Sequence, residues 1–526
     1  MAFASAKGRP LEPSNLLQDD VMMSRRALLT GAALAGTGVA VAGSLWHDRA
    51  APEPQLLRIP DLIDLRGMGQ SASLKVQRGT TSFFPGRESR TLGYNGSYLG
   101  PTLRVHSGDD VEVAVTNALG DDTTVHWHGL LVPAEVDGGP HQLIRPGTTW
   151  RPVLPVRQPA ATLFYHSHVH DRTAEQVYTG LAGVLLVTDD EENLFGLPSE
   201  YGVDDLPLVL QDRQFEDGRL VIPNGMMTLM AGRRGDTMLV NGTVNPIARV
   251  PRQLVRLRFV NGSNARIFDL SFRDGRTFHW IASEGGLLEL PVKLQSLSLA
   301  PGERAEVLVD FSDGRSVALQ TAPDRNMPTM MRMVGGPRNF LRDLVDLDHE
   351  RVLAFEPTET AGHRTKTTVP DRLVTRPNPD SSRAVRRRRF ALNMGMGGMM
   401  AMMAGRGGMM EGGRGSGMAM AGINGRAFDM DRIDEKVRLG DFEIWEASGE
   451  MMAHPLHIHG VHFQVLSRGG AKPSVRDQGI RDTVLVKEPV ELLVQFTQPA
   501  TRAAFMYHCH ILEHEDNGMM GQFTTD

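Results

Sequence analysis

Cysteine is nearly absent from this chain, with a single residue, Cys509, among 526. A lone thiol closes no disulfide within its own chain, so the fold is not held by covalent staples. Aromatic residues are few (6%), whereas glycine (56) and proline (31) are plentiful. That balance disfavours helix-rich architectures and suits short strands joined by many turns. An excess of one charge is also missing, and a formal net charge of −6 excludes the broad basic surface of a nucleic-acid binder. Long apolar runs are lacking as well. The nearest approach, residues 31–43, falls short of the roughly 20 residues that span a bilayer.

What precedes that short run is informative. Ser24-Arg25-Arg26-Ala27-Leu28-Leu29-Thr30 leads into it, and Ala40-Val41-Ala42 is a candidate cleavage site. Paired arginines before a weakly hydrophobic stretch resemble a twin-arginine export signal. Residues 1–43 are therefore expected to be a signal peptide read by the twin-arginine machinery, with a soluble, periplasmic mature protein starting near residue 43.

The remaining length exceeds one core, and about 150 residues per domain suggests three or so. Alternating apolar and polar residues mark sandwich strands in three stretches. The first holds 102–106, 110–116 and 183–188; the second 206–211, 254–260 and 305–311; the third 436–439, 463–466 and 492–496. Polar, turn-rich segments at 189–205 and 356–388 separate them, giving domains at 44–190, 200–355 and 389–526. The second linker ends in Arg386-Arg387-Arg388-Arg389, read as a solvated charge run.

Four separate His-x-His pairs stand out: His126-Trp127-His128, His166-Ser167-His168, His457-Ile458-His459 and His508-Cys509-His510. Scattering 18 histidines at random would give fewer than about one such pair. On a strand, residues i and i+2 share a face, so each pair aims two imidazoles at a common point. The same period turns Cys509 away from its two neighbours. One strand would thus touch two metal centres. On one side, Cys509, His454, His514 and Met519 supply a thiolate, two imidazoles and an axial thioether, the donor set of a mononuclear copper site. On the other side the eight paired histidines bind a cluster, and only about one residue of backbone, or about 3.8 Å between adjacent Cα atoms, separates the two.

Between positions 394 and 420 lie ten methionines among glycines and alanines: Met394, Met396, Met399, Met400, Met402, Met403, Met409, Met410, Met418 and Met420. Without branched apolar residues this insertion cannot pack a conventional core. Its thioethers are soft donors suited to Cu(I).

The motifs HWHG, HSH, HPLHIHG and HCHILEHEDNGMM resemble the four copper-binding signatures of three-domain multicopper oxidases, over residues 99–521. The resemblance implies an all-β chain of three cupredoxin-like Greek-key β-sandwich domains. It also implies four copper ions, one type 1 in the third domain and a type 2/type 3 trinuclear cluster between the first and third. His126 and His457 would hold type 2; His128, His166 and His510 one type 3 ion; His168, His459 and His508 the other. Dioxygen would be reduced to water with single electrons from Cu(I) or a small organic reductant. Asp137 and Glu515 match acids that assist proton delivery in the family. The export signal, the Met-rich insertion, Ile423-Asn424-Gly425-Arg426-Ala427-Phe428-Asp429-Met430 and Met451-Met452-Ala453-His454 look like periplasmic cuprous oxidases of the CueO type. By that likeness Glu450, standing where the family usually has Asp, and Met452, with Met394, would bind a substrate copper. A laccase-like oxidase of phenols and a non-enzymatic copper-sequestering or scaffold protein are the alternatives. A monomer is expected.

Overall fold

Short runs that alternate apolar and polar residues favour strands buried on one face. A computed structural model describes residues 52–324, 326, 349–359, 368–376, 379–394 and 421–526, and these form six sheets. The expected signal peptide and all of the Met-rich insertion beyond Met394 lie outside the described residues. Paired sheets enclose three apolar cores, giving an all-β chain of cupredoxin-like sandwiches.

In the first sandwich, Ala161–His166 runs between Ala182–Thr188 and His126–His128; the opposite sheet carries Ser71–Phe84 and Asp110–Asn117. Alternation buries Ala72, Leu74 and Val76 while Ser71, Ser73 and Lys75 face solvent. The middle sandwich is built on Asp205–Glu216, Leu254–Asn261 and Arg304–Asp310. It also recruits Gln55–Leu56, which pairs in parallel with Pro246 and Ile247, so the chain touches the middle sandwich before building the first.

The third sandwich sets Ala384–Met394 and Phe442–Gly449 against the sheet that carries His454–Ile458 and Ala500–Cys509. Its first strand absorbs the arginine run that the sequence suggested was solvated linker. The reason is the two-residue period: Arg387 and Arg389 point outward, while Arg388 points inward to Glu443, with its Nε 2.6 Å from Oε2, and also pairs with Glu435.

Charge is buried between the sandwiches too. Thr162 of the first donates to Glu306 Oε1 of the middle one at 2.6 Å, and Arg258 joins Glu306 to Asp205.

Candidate metal centres

Two strand pairings assemble the histidines. In the first sandwich, antiparallel register sets His126 opposite His166 and His128 opposite Phe164. In the third, Leu456 lies opposite Cys509 and His457 opposite His508. The paired histidines meet across the boundary of these two sandwiches, and no ring among them is more than 2% exposed.

The ring nitrogens are sorted by their outer partners. His126 Nδ1–H donates to the Asp137 carbonyl (3.1 Å), and His459 Nδ1–H to Asp137 Oδ2 (2.8 Å). Glu515 lies between His168 Nδ1 (3.3 Å) and His508 Nδ1 (3.1 Å), and His457 Nδ1–H donates to the Asp482 carbonyl (2.9 Å). The Nε2 atoms of these five rings are left facing one another: His126 to His457 at 3.3 Å, His168 to His508 at 3.2 Å, and His459 to His508 at 3.1 Å. His128 is turned the other way. Its Nε2–H donates to Asp482 Oδ1 (3.2 Å), and its Nδ1 faces His166 Nε2 at 3.4 Å. His166 in turn donates from Nδ1 to the Ser167 carbonyl at 2.8 Å. His510 is buried 5.0 Å from His128 between ring centres, with neither nitrogen hydrogen-bonded among the described residues.

Lone pairs aimed at each other in a dry site repel unless a cation lies between them. Protons do not fill this role. Burial lowers the His168 and His508 pKa values to about 3 and that of His457 to about 4, and holds His128, His166, His459 and His510 well below the usual imidazole range. Neutral imidazoles, most with an outer nitrogen anchored, are what metal ions require.

Cys509 faces the other way, as the two-residue period predicts. Its Sγ lies 3.5 Å from His454 Nδ1 and 3.6 Å from His514 Nδ1, and those nitrogens are 3.3 Å apart. Each Nε2–H is tied to a carbonyl: His454 to Glu450 (3.0 Å), His514 to Met230 (3.1 Å). Burial raises the Cys509 thiol well above its ordinary value, so metal loading must displace its proton. The Met519 carbonyl accepts from Cys509 N–H (3.0 Å), and the Met519 side chain is buried in the same apolar cluster as Cys509. One thiolate and two imidazoles in a triangle with a nearby thioether match the donor set of a blue-copper site.

Of the residues expected to bind a substrate copper, Glu450 is exposed, Met394 is partly buried and Met452 is buried. Parallel pairing of Leu392 with Gly449 brings the ends of two strands together beside His454, with Glu450 N–H donating to the Leu392 carbonyl. Met451, assigned no role of its own from the sequence, faces solvent beside Glu450, at 50% exposure.

Asp482 was not anticipated. It stands between Arg481 and the strand Thr483–Val486, with no motif around it, and only the fold brings it to His128 and His457. Burial alone would raise its pKa, but the Arg304 guanidinium and the hydrogen bonds it receives hold it well below the carboxylate range. Of the histidines left unassigned, His141 pairs with Gln522 (2.7 Å) and His106 with Thr188 (3.1 Å).

Patterns of the multicopper oxidase family match residues 75–192, 207–318 and 401–526. The chain belongs to the multicopper oxidases, whose cofactor is copper. It is 37% identical to the multicopper oxidase mco of Staphylococcus aureus, over 86% of this chain and 88% of that protein. It is equally 37% identical to the cell division protein FtsP of Escherichia coli (strain K12), over 95% of this chain and 98% of that one. Among solved structures it resembles CueO, a bacterial laccase-like multicopper oxidase from Ochrobactrum sp. The identity is 40%, covering 89% of this chain and all of that one, with a TM-score of 0.79.

Proposed function

We propose that this protein is an exported cuprous oxidase that couples one-electron oxidation of Cu(I) to four-electron reduction of dioxygen to water. When bound, one type 1, one type 2 and two type 3 coppers would supply the one-electron acceptor and the dioxygen-reducing centre. The observation that carries the reading is the ligand set itself, eleven buried imidazole and thiolate donors in two groups, with the outer nitrogens hydrogen-bonded to a carbonyl or carboxylate except those of His510 and of His168, whose Nδ1 lies 3.3 Å from Glu515. A scaffold under no demand to bind copper has no reason to keep it.

In this reading His454, His514 and Cys509, together with Met519, would hold the type 1 ion. His126 and His457 would hold type 2; His128, His166 and His510 would hold one type 3 ion, and His168, His459 and His508 the other. Cys509 lies between His508 and His510 in the chain, so a covalent path one residue long joins the two centres. Glu515, its pKa raised by burial, stands beside His168 and His508, a place suited to passing protons to a reaction that consumes four. Asp137 Oδ2 orients His459 and is the second acid. Glu450, Met452 and Met394, with the thioethers beyond, receive the substrate Cu(I), for which soft sulfur donors are apt.

A laccase-like activity is the second reading, favoured by the Ochrobactrum relative, described as oxidising lignin model compounds and lignosulfonate. Deleting residues 395–420 separates the two. Cu(I) oxidation is expected to fall while phenol oxidation holds or rises; unchanged Cu(I) oxidation with no gain on phenols would sink the cuprous reading. Export to the periplasm is tested by changing Arg25 and Arg26 to lysine, which should trap the protein in the cytoplasm. Normal export of that variant would rule the twin-arginine route out.

A further inference from the structure

The middle sandwich contributes no imidazole to the cluster among the described residues, yet it reaches three of the histidines, two of them through Asp482. Arg304, on its strand Arg304–Asp310, is buried and grips Asp482 of the third sandwich with both ends of its guanidinium, Nη1 to Oδ1 at 2.6 Å and Nη2 to Oδ2 at 2.5 Å. Arg304 also donates to the Thr162 carbonyl of the first sandwich (3.2 Å). Asp482 Oδ1 accepts from His128 Nε2–H (3.2 Å) and Thr483 Oγ–H (2.8 Å), and its carbonyl accepts from His457 Nδ1–H (2.9 Å). His128 and His457 are thereby stacked face to face, ring centres 3.6 Å apart and 10° from parallel. Two glycines show how closely the parts fit. A Cβ on Gly129, the last residue of the HWHG motif, would lie 2.4 Å from Arg304 Nη2 and 2.5 Å from Asp482 Oδ2. Gly302, two residues before Arg304 and at φ +82°, lies against His510, where a Cβ would come within 2.9 Å of the ring.

We propose that Asp482, locked by Arg304, is a positioning residue. It fixes the tautomer of His128 so that Nδ1 faces the cluster, and it makes the middle sandwich a structural determinant of a copper centre to which it gives no ligand. The proposal rests on reading the eight histidines as the trinuclear site. Asp482 is assigned the positioning role because its Oδ1 already accepts from His128, Arg304 and Thr483 and its Oδ2 is engaged by Arg304. An Arg–carboxylate fork is the geometry in which planarity matters as much as charge.

The test compares copper-loaded wild type with Asp482→Asn, Arg304→Lys and Gly302→Ala. The readouts are copper per chain, the thiolate absorption band and the type 2 spin-resonance signal. Loss of an outer partner of a metal-bound histidine costs about 10–100-fold in metal affinity or activity. Asp482→Asn is expected to keep the thiolate band, because Asp482 touches none of His454, Cys509 and His514, while copper per chain falls and the type 2 signal shifts. Arg304→Lys, which keeps the charge but not the fork, should shift the same signal by less. Gly302→Ala should lower cluster occupancy by displacing His510, and it stands as an independent arm if Asp482→Asn does not fold. Wild-type copper content and an unaltered type 2 signal in the variants that fold would overturn the proposal, as would equal loss from the type 1 site and the cluster, which would mark a general folding defect. A wild-type protein lacking the type 2 signal would instead overturn the trinuclear reading, and this proposal with it.

Discussion

At the scale of single residues, the strand period decided the chemistry. Cys509 was legible in the sequence as a junction, because alternation forces it away from His508 and His510, and its Sγ indeed sits with His454 and His514. The outer partners were legible only in part. Asp137 and Glu515 stood in recognisable motifs, whereas Asp482 and the Met230 carbonyl reach their histidines through contacts distant in sequence, which no local pattern records. Burial of the rings has a measurable consequence. His168, His508 and His514 have pKa values lowered to about 3, and His454 and His457 to about 4, against about 6.5 in an unfolded chain. Below about pH 6.5 the unfolded chain binds more protons than the native one, so stability of the metal-free protein is full above that pH and falls as acid approaches the native values. Its denaturation midpoint should therefore drop between pH 7.5 and pH 5. A midpoint that holds or rises over that interval would contradict neutral, desolvated imidazoles.

At the scale of elements, short alternating runs located the strands well. Runs expected at 102–106, 254–260 and 492–496 appear as Thr102–His106, Leu254–Asn261 and Val490–Phe496. The misreading at Arg386 to Arg389 shows where composition misleads. Four consecutive charges look solvated, but on a strand every second one can point inward if a carboxylate waits there, and Glu443 does. Arg388→Ala is accordingly expected to cost about 3–5 kcal/mol, because it strands a buried carboxylate. Arg389→Ala, at a side chain 80% exposed, should cost no more than about 1 kcal/mol. Denaturant unfolding of the two variants checks this, and similar losses would place Arg388 outside the core.

At the scale of the whole molecule, three sandwiches divide the work unequally. The third holds the thiolate site and half of the paired histidines, the first holds the other half, and the middle one meets the site through Gly302, Arg304 and Met230. That division was visible in the sequence only as the absence of His-x-His pairs between residues 169 and 456, since contacts between domains leave no periodic trace. The resemblance to both a multicopper oxidase and a cell division protein at equal identity makes copper occupancy the decisive property. The most direct measurement is copper content of the loaded protein together with its absorption and spin-resonance spectra. Four coppers per chain, a strong thiolate band toward the red and a type 2 signal are predicted; a protein that takes up no copper, or only the thiolate-bound ion, would contradict the account.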